Sequence, residues 1–387
     1  SNILMKKTGQ WKIPLFKINV NSSDVNAVTN VIKRGTDWAD GEEITQLEKE
    51  LSKYIGCRYC LTFNSGTSAG HAVLIALGLQ NKQVMIPSLT FISTANWVVM
   101  TGAHPKFIDI EEETLGLDPT KIEEKISKNT QLIMPVHYAG LPCKINEIKK
   151  IATENKITMI EDAAESIGAT VGKKKVGTFG EASIFSFAAN KVLTSGEGGA
   201  VLTNSKKMFE KLKLIRSHGR SIKENYFSSI QKPNYVTLGY NWRMSSITAA
   251  LALSQLKRLD YLIKKRQENA KYLTNKLRKY SEIKFHTAPK DYVHVHQLFT
   301  IMLPNQRIRD NLIKFLATKG IMSKVFFVAI HETKFYKKLG YDYGDLTTTE
   351  KICQRILSLP MYPDLSETEM DFISDSIGEF FDSYKNN

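Results

Sequence analysis

The chain has 387 residues, too many for one ordinary domain at roughly 150 residues each and suited to two. Hydrophobic residues at 42% and charged residues at 24% give the balance of a globular protein and exclude a fibre or a wholly disordered chain. The formal net charge of +14 favours anionic partners, a description shared by nucleic acid, acidic membrane and phosphorylated small molecules.

Cys57, Cys60, Cys143 and Cys353 are too few for a disulfide framework, so a reducing cytoplasm is the expected location. No uninterrupted apolar run reaches the roughly 18 to 20 residues of a spanning helix. Residues 1–7 are too short and too weakly apolar for a secretory signal. Met5 is the expected natural start, with a cloning remnant before it.

In chain order, the first β-type stretch is 59–63, preceded by Cys57-Arg58-Tyr59-Cys60. A C-x-x-C pair can be redox-active or half of a zinc site. No second pair exists, so structural cysteines beside the strand are expected. The stretch runs into Asn64-Ser65-Gly66-Thr67-Ser68-Ala69-Gly70 and then a helical pattern over 69–77. Strand, glycine turn and helix start present free N–H groups to a phosphate. They equally describe a helix capped by Ser or Thr. The run is neither G-x-x-x-x-G-K-[ST] nor G-x-G-x-x-G, so it is no P-loop and no dinucleotide fingerprint.

Further apolar runs lie at 84–87, 106–110, 132–136, 157–160, 182–187 and 200–203, with helical spacing between them, as at 145–154. They lack polar alternation and predict strands buried on both faces of a mainly parallel sheet. Strand alternating with helix gives an α/β domain covered by helices on both sides. After 157–160 comes Glu161-Asp162-Ala163-Ala164-Glu165-Ser166. A carboxylate at the end of a parallel strand can meet a cationic ring nitrogen or a metal, or it can cap a helix. After 182–187 comes Ala188-Ala189-Asn190-Lys191, a lone lysine before the glycine-rich run Thr194-Ser195-Gly196-Glu197-Gly198-Gly199. A desolvated lysine there can attack an aldehyde; a surface loop lysine is the plainer alternative.

From 245 to about 279 one long helical pattern leaves the first domain and enters a second. Beyond 294, strands are expected at 298–303 and 322–328 and helices at 307–319 and 367–384. The division is a large α/β domain over 13–250 and a smaller α+β domain over 251–387. Lys173-Lys174-Lys175 and Lys264-Lys265-Arg266 have no aromatic interleaving, so they are expected to be solvated surface and not a nucleic-acid site.

Taken together, a phosphate cradle, then an aspartate, then a lysine, all at strand ends, match the needs of pyridoxal phosphate. At this point the sequence resembles the DegT/DnrJ/EryC1/StrS sugar aminotransferases, which have the fold type I aminotransferase architecture. The resemblance runs from about Ile13 to about Ile377. It is carried by NSGTSA, PSLTFISTAN, PVHYAG, EDAAESIGA, FSFAANKVLTSGEGG and GYNWRMSSITAA in the family's order.

The resemblance implies roles by position. Lys191 would form the Schiff base and shuttle the proton. Asp162 would pair with the pyridine nitrogen, and Glu165 would sit near the phenolic oxygen where relatives often have Gln or His. Phe91 would stack on the ring, while Gly66, Thr67 and Ser186 would hold the phosphate. Asn241 would reach the phosphate of a second subunit, making a homodimer with shared sites. Arg243 is expected to be structural. Trp38, in the family's W-x-x-G segment, and His331 would face the substrate, His331 with simple packing as its alternative.

Two departures stand out: Ser246 replaces a usual acidic residue, and Gly116 replaces Asn or Met. Relatives with His at the lysine position deoxygenate, so Lys191 implies transamination. TSGEGG resembles the branch that aminates C4. The expected activity is transfer of the amino group of L-glutamate to a nucleotide-linked 4-keto-6-deoxyhexose, for polysaccharide or secondary-metabolite amino sugars. The alternatives are a 3-keto sugar aminotransferase and a non-catalytic, cofactor-binding regulator. No metal, nucleic acid or membrane is expected as partner.

Overall fold

The computed structural model describes residues 11–221, 227, 229–340 and 346–385, so the expected start at Met5 lies outside the described residues. Helix α1 (Ser22–Arg34) begins on a capping box: Asn21 accepts the Asp24 N–H while Asp24 accepts the Asn21 N–H. It is followed by α2 (Glu42–Ile55). Four strand–helix pairs come next: β1 (Tyr59–Phe63) with α3 (Gly66–Leu77), β2 (Gln83–Pro87) with α4 (Ile92–Met100), β3 (His104–Ile108) with α5 (Pro119–Lys125), and β4 (Thr130–Ile133) with α6 (Ile145–Glu154). Then come β5 (Thr158–Asp162), the short β6 (Thr170–Val171) and β7 (Lys174–Lys175), and β8 (Ala182–Ser186) and β9 (Gly199–Thr203). Helices α7 (Lys206–Arg216), α8 (Ser246–Leu256) and α9 (Leu259–Leu277) lead to β10 (Lys284–Phe285), β11 (Tyr292–Val293) and β12 (Phe299–Met302). The chain ends with α10 (Gln306–Thr318), α11 (Lys334–Lys338), α12 (Thr347–Cys353), β13 (Ile356–Leu359) and α13 (Glu367–Lys385).

The main sheet has seven strands in the order β1-β9-β8-β5-β4-β2-β3. Only β9 runs against its neighbours, pairing antiparallel with β1 and β8. The pairs β8–β5, β5–β4, β4–β2 and β2–β3 are parallel. Side chains alternate across the sheet. Val84 and Ile86 join Val73, Leu74 and Trp97 in one layer, while Met85 and Ile133 join Ile145 and Ile148 in the other. Both faces are covered, which is why the strands read as unbroken apolar runs.

A second core lies around the sheet β10-β12-β13, where Ile301, Leu357 and Leu359 pack with Leu273, Leu312 and Ile373. Ile13 belongs to this core and bridges to Ile321. The 250/251 division falls within α8, whose Ala252 and Leu253 pack with Leu47 and Leu51 of α2. Helix α9 serves both cores, giving Leu259 and Ile263 to one and Leu273 and Leu277 to the other.

Two expectations change. The single helix over 245–279 is broken at Arg258, whose backbone (φ −121°, ψ 17°) leaves the helix. Its guanidinium is drawn to the Asn19 carbonyl at 2.6 Å and to Asp24 at 2.6 Å, and Asp24 is itself buried. The strand over 322–328 reduces to isolated bridges, Ile321 with Ile13 and Lys324 with Ser358. Beyond Lys324 the segment leaves the sheet and brings Phe326 and Phe327 to the cavity described below. Among the described residues no helix is long and apolar enough to cross a membrane.

Candidate active site

The C-terminal ends of the parallel strands open into one cavity of about 350 Å³. Gly66 and Thr67 follow β1, Phe91 and Thr94 follow β2, Val136 follows β4, Asp162 ends β5 and Ser186 ends β8, and all line it. Parallel strands deliver successive loops to one edge, which is why residues far apart in sequence meet there.

The cradle is built at the start of α3. Ser65 caps the helix by accepting the Ser68 N–H at 3.0 Å. The N–H groups of Gly66 and Thr67, in the first turn, have no helical acceptor and are available to an anion. A Cβ on Gly66 would lie 2.8 Å from the Ser186 Cβ, so glycine lets the end of β8 close the cradle. The cap and the phosphate cradle are therefore compatible readings of the same turn.

Strand alternation separates two adjacent carboxylates. Asp162 faces the cavity, 4% exposed. Its Oδ2 accepts from the Thr94 hydroxyl at 2.8 Å and its Oδ1 from the Ala164 N–H at 3.2 Å. Burial pushes the Asp162 carboxyl up, while Thr94, Ala164 and the charge of Lys191 oppose the rise. Glu161 faces the other layer, where it takes the N–H groups of Gly177, Phe179 and Gly180 and meets His137 Nε2 at 3.1 Å.

Lys191 projects into the same cavity with its Nζ 3.4 Å from Glu165 Oε1. Glu165 Oε2 accepts the Ala139 N–H at 2.9 Å, which fixes the carboxylate. Gln297, two residues before β12, donates to the Asn190 carbonyl at 2.5 Å, beside the lysine. Phe91 stands at the mouth, 56% exposed, with its ring 5.9 Å from Phe327.

Seven expected residues thus line one cavity: Gly66, Thr67, Phe91, Asp162, Glu165, Ser186 and Lys191. The other three stand elsewhere. Trp38 is half-exposed, its indole N–H donating to the Val31 carbonyl at 3.0 Å. Asn241 is exposed and bridges to Ser217. His331 is fully buried, with Nδ1 2.7 Å from the Ser88 hydroxyl and Nε2 3.2 Å from Glu350. Its packing alternative matches this placement; a substrate contact would require the ring to leave both partners.

The sequence reading missed Thr94, Ser93, Phe326 and Phe327. The first two sit inside the PSLTFISTAN run, just after Phe91. Phe326 and Phe327 come from the irregular segment and carried no signal. Ser246 explains one departure: its hydroxyl accepts the Gly41 N–H at 2.7 Å and its own N–H donates to the Trp38 carbonyl at 2.7 Å. At Gly116 a Cβ would lie 2.3 Å from the Cys143 Cβ, so a larger residue does not fit this packing. Burial pushes the Cys57 thiol up to about 11 and the Cys60 thiol well above its usual range, leaving both unreactive. Among the described residues no cluster could hold a metal ion.

A first-turn anion cradle, a buried carboxylate, a lysine and an aromatic face around this cavity fit pyridoxal phosphate. The comparisons agree. The model of the DegT/DnrJ/EryC1/StrS aminotransferase family matches residues 19–378. An uncharacterized protein of Methanocaldococcus jannaschii is 34% identical, over 92% of this chain and 95% of its own. A GDP-perosamine synthase of Escherichia coli O157:H7 is 31% identical, over 95% of this chain and 98% of its own. Among solved structures, the Helicobacter pylori PseC aminotransferase of pseudoaminic acid biosynthesis superposes with a TM-score of 0.90 at 27% identity, covering 96% of this chain and 99% of its own.

Proposed function

The chain belongs to the DegT/DnrJ/EryC1/StrS aminotransferase family, and from that premise we propose that it aminates C4 of a nucleotide-linked 4-keto-6-deoxyhexose with L-glutamate as donor. It is a pyridoxal-phosphate-dependent sugar aminotransferase. The observation that carries the proposal is the single cavity in which Lys191, Glu165, Asp162 and the first turn of α3 converge.

Bound in this cavity, pyridoxal phosphate supplies an electron sink and carries the amino group between the two substrates. The protein's own groups do the rest. The Gly66 and Thr67 N–H groups and the Ser186 hydroxyl would hold the phosphate. The Asp162 carboxylate would meet the ring nitrogen and Phe91 would cover the ring face. Lys191 Nζ takes the proton from the donor's Cα and delivers it again on the acceptor side, as general base and then acid. Glu165, fixed by Ala139, keeps that Nζ aimed into the cavity. Phe91 and Phe327 narrow the mouth and limit water. The half-exposed indole of Trp38 offers a face to the sugar. In a homodimer Asn241 would reach the partner's phosphate cradle.

C4 amination is supported by the TSGEGG run at 194–199 and by the likeness to a GDP-perosamine synthase. The test is the absorption spectrum of the cofactor-loaded protein before and after L-glutamate, with Lys191→Ala beside it, followed by a panel of nucleotide-linked keto sugars. The expected result is loss of the lysine-bound cofactor band, formation of 2-oxoglutarate and a 4-amino product by NMR. A spectrum that glutamate leaves unchanged refutes the donor. A 3-amino product refutes the position.

A further inference from the structure

We propose that Thr94, backed by Thr90, is a positioning residue that holds the Asp162 carboxyl ionised and aimed at the ring nitrogen of the cofactor. The inference rests on the assignment of Asp162 to that nitrogen.

The hydroxyl of Thr94 has one proton, and its Oγ1 donates to Asp162 Oδ2 at 2.8 Å. Thr90 Oγ1 lies 2.8 Å from Thr94 Oγ1. With the Thr94 proton committed to the carboxylate, Thr90 is the donor in that contact. The chain therefore runs one way, from Thr90 to Thr94 to Asp162, and each bond polarises the next. The second carboxylate oxygen meets the Ala164 N–H at 3.2 Å, so both oxygens face donors. A protonated Asp162 would carry its proton either on Oδ2, which reverses the chain, or on Oδ1, which faces the Ala164 N–H.

The charged groups facing Asp162 pull in opposite directions. Lys191 favours the ionised form and Glu165 opposes it, while burial, the largest influence, favours the neutral acid. Across the sheet, Glu161 and the His137 ring are committed to each other, and only the His137 backbone N–H turns back, to the Asp162 carbonyl at 3.1 Å. Against burial, Thr94 is the foremost of the contacts that favour the carboxylate.

Helix α4 makes this economical. Its N-cap is Phe91, its first turn carries Thr94, and Ser93 Oγ lies 3.0 Å from Thr67 Oγ1 in the cradle. The start of one helix thus carries Phe91 and meets both the carboxylate and the phosphate cradle. Thr90 lies just before the N-cap, and its hydroxyl reaches Thr94 Oγ1 at 2.8 Å.

The test uses wild type, Thr94→Val, Thr94→Ser, Thr90→Val and Asp162→Asn as folded apoproteins, checked by thermal melting. Pyridoxal phosphate affinity is titrated against pH by tryptophan fluorescence, Trp97 lining the cavity. Binding that needs the carboxylate fails as pH falls through the apoprotein pKa of Asp162. Removing a donor raises that pKa, so Thr94→Val should move the acid limb upward by about one pH unit or more. Thr94→Ser should leave the limb in place, and Thr90→Val should move it the same way by less. A Thr94→Val protein that loses affinity equally at every pH, or not at all, overturns the proposal. If Asp162→Asn abolishes the limb while Thr94→Val keeps it, only the relay falls. If Asp162→Asn binds like wild type, the ring-nitrogen assignment itself falls.

Discussion

Replacing Glu161 by Gln is a severe test of the strand-alternation argument, because the change is isosteric and adjacent to Asp162. The Glu161 carboxylate is fully buried. On its Oε1 side it faces the Gly177 N–H at 2.7 Å and His137 Nε2 at 3.1 Å. On its Oε2 side it faces the Phe179 N–H at 2.7 Å and the Gly180 N–H at 2.9 Å. His137 Nδ1 accepts the Cys143 N–H at 3.1 Å, which places the ring proton on Nε2. All the groups around Glu161 are then donors. A glutamine has one accepting atom and one donating group, so either orientation leaves a pair of donors facing an NH₂. Orphaned buried donors cost about 1–3 kcal/mol each, so the loss of stability for the pair should be about 2–6 kcal/mol. The assay is denaturant unfolding of both apoproteins near neutral pH, with cofactor affinity measured on the folded fraction and expected to be retained. Burial pushes the Glu161 carboxyl up, but His137 and the N–H groups of Gly177 and Gly180 outweigh it and hold it below its usual range. A depressed pKa contributes stability above the unfolded value of about 4.3 and loses it as pH falls through the folded value, so the difference from wild type should shrink in acid. A neutral-pH difference under about 1 kcal/mol would refute the reasoning.

Two further substitutions probe the site and its support. Gly66→Ala drives a Cβ to within 2.8 Å of the Ser186 Cβ, so the cradle must open. Overpacking of this kind costs about 1–3 kcal/mol, and pyridoxal phosphate affinity by equilibrium dialysis should fall about tenfold or more; unchanged affinity would remove Gly66 from the cradle. Ser246→Ala orphans the buried Gly41 N–H and should cost about 1–2 kcal/mol in denaturant unfolding. It should also raise KM for the keto sugar more than it lowers kcat, since it frees the loop carrying Trp38; a change confined to kcat would argue against that loop meeting substrate.

Legibility followed how locally each feature is encoded. The strands at 84–87 and 182–187 were readable because burial on both faces leaves no polar alternation, and their observed ranges are Gln83–Pro87 and Ala182–Ser186. Lys191 and Asp162 stood out in the sequence because Asp162 ends one buried strand and Lys191 follows another, and both line the cavity. The break at Arg258 was not, because its cause is Asp24, far away in sequence and near in space. His331 looked like a site residue because a motif position says nothing about burial. In the fold both of its ring nitrogens are taken by Ser88 and Glu350.

By itself the sequence determined the chemistry: which residue types are present, their order, the caps that start several helices and the glycines that end others, all set by local backbone preferences and short spacings. It also determined that the sheet would be mainly parallel, since buried runs alternating with helices leave little other choice. Only the tertiary structure decided which of two adjacent carboxylates faces the cavity, that β9 runs against the sheet, that Thr94 meets Asp162, and that Phe326 and Phe327 reach the cavity. Those facts depend on strand register and on long-range packing, where a shift of one residue turns every side chain to the opposite face.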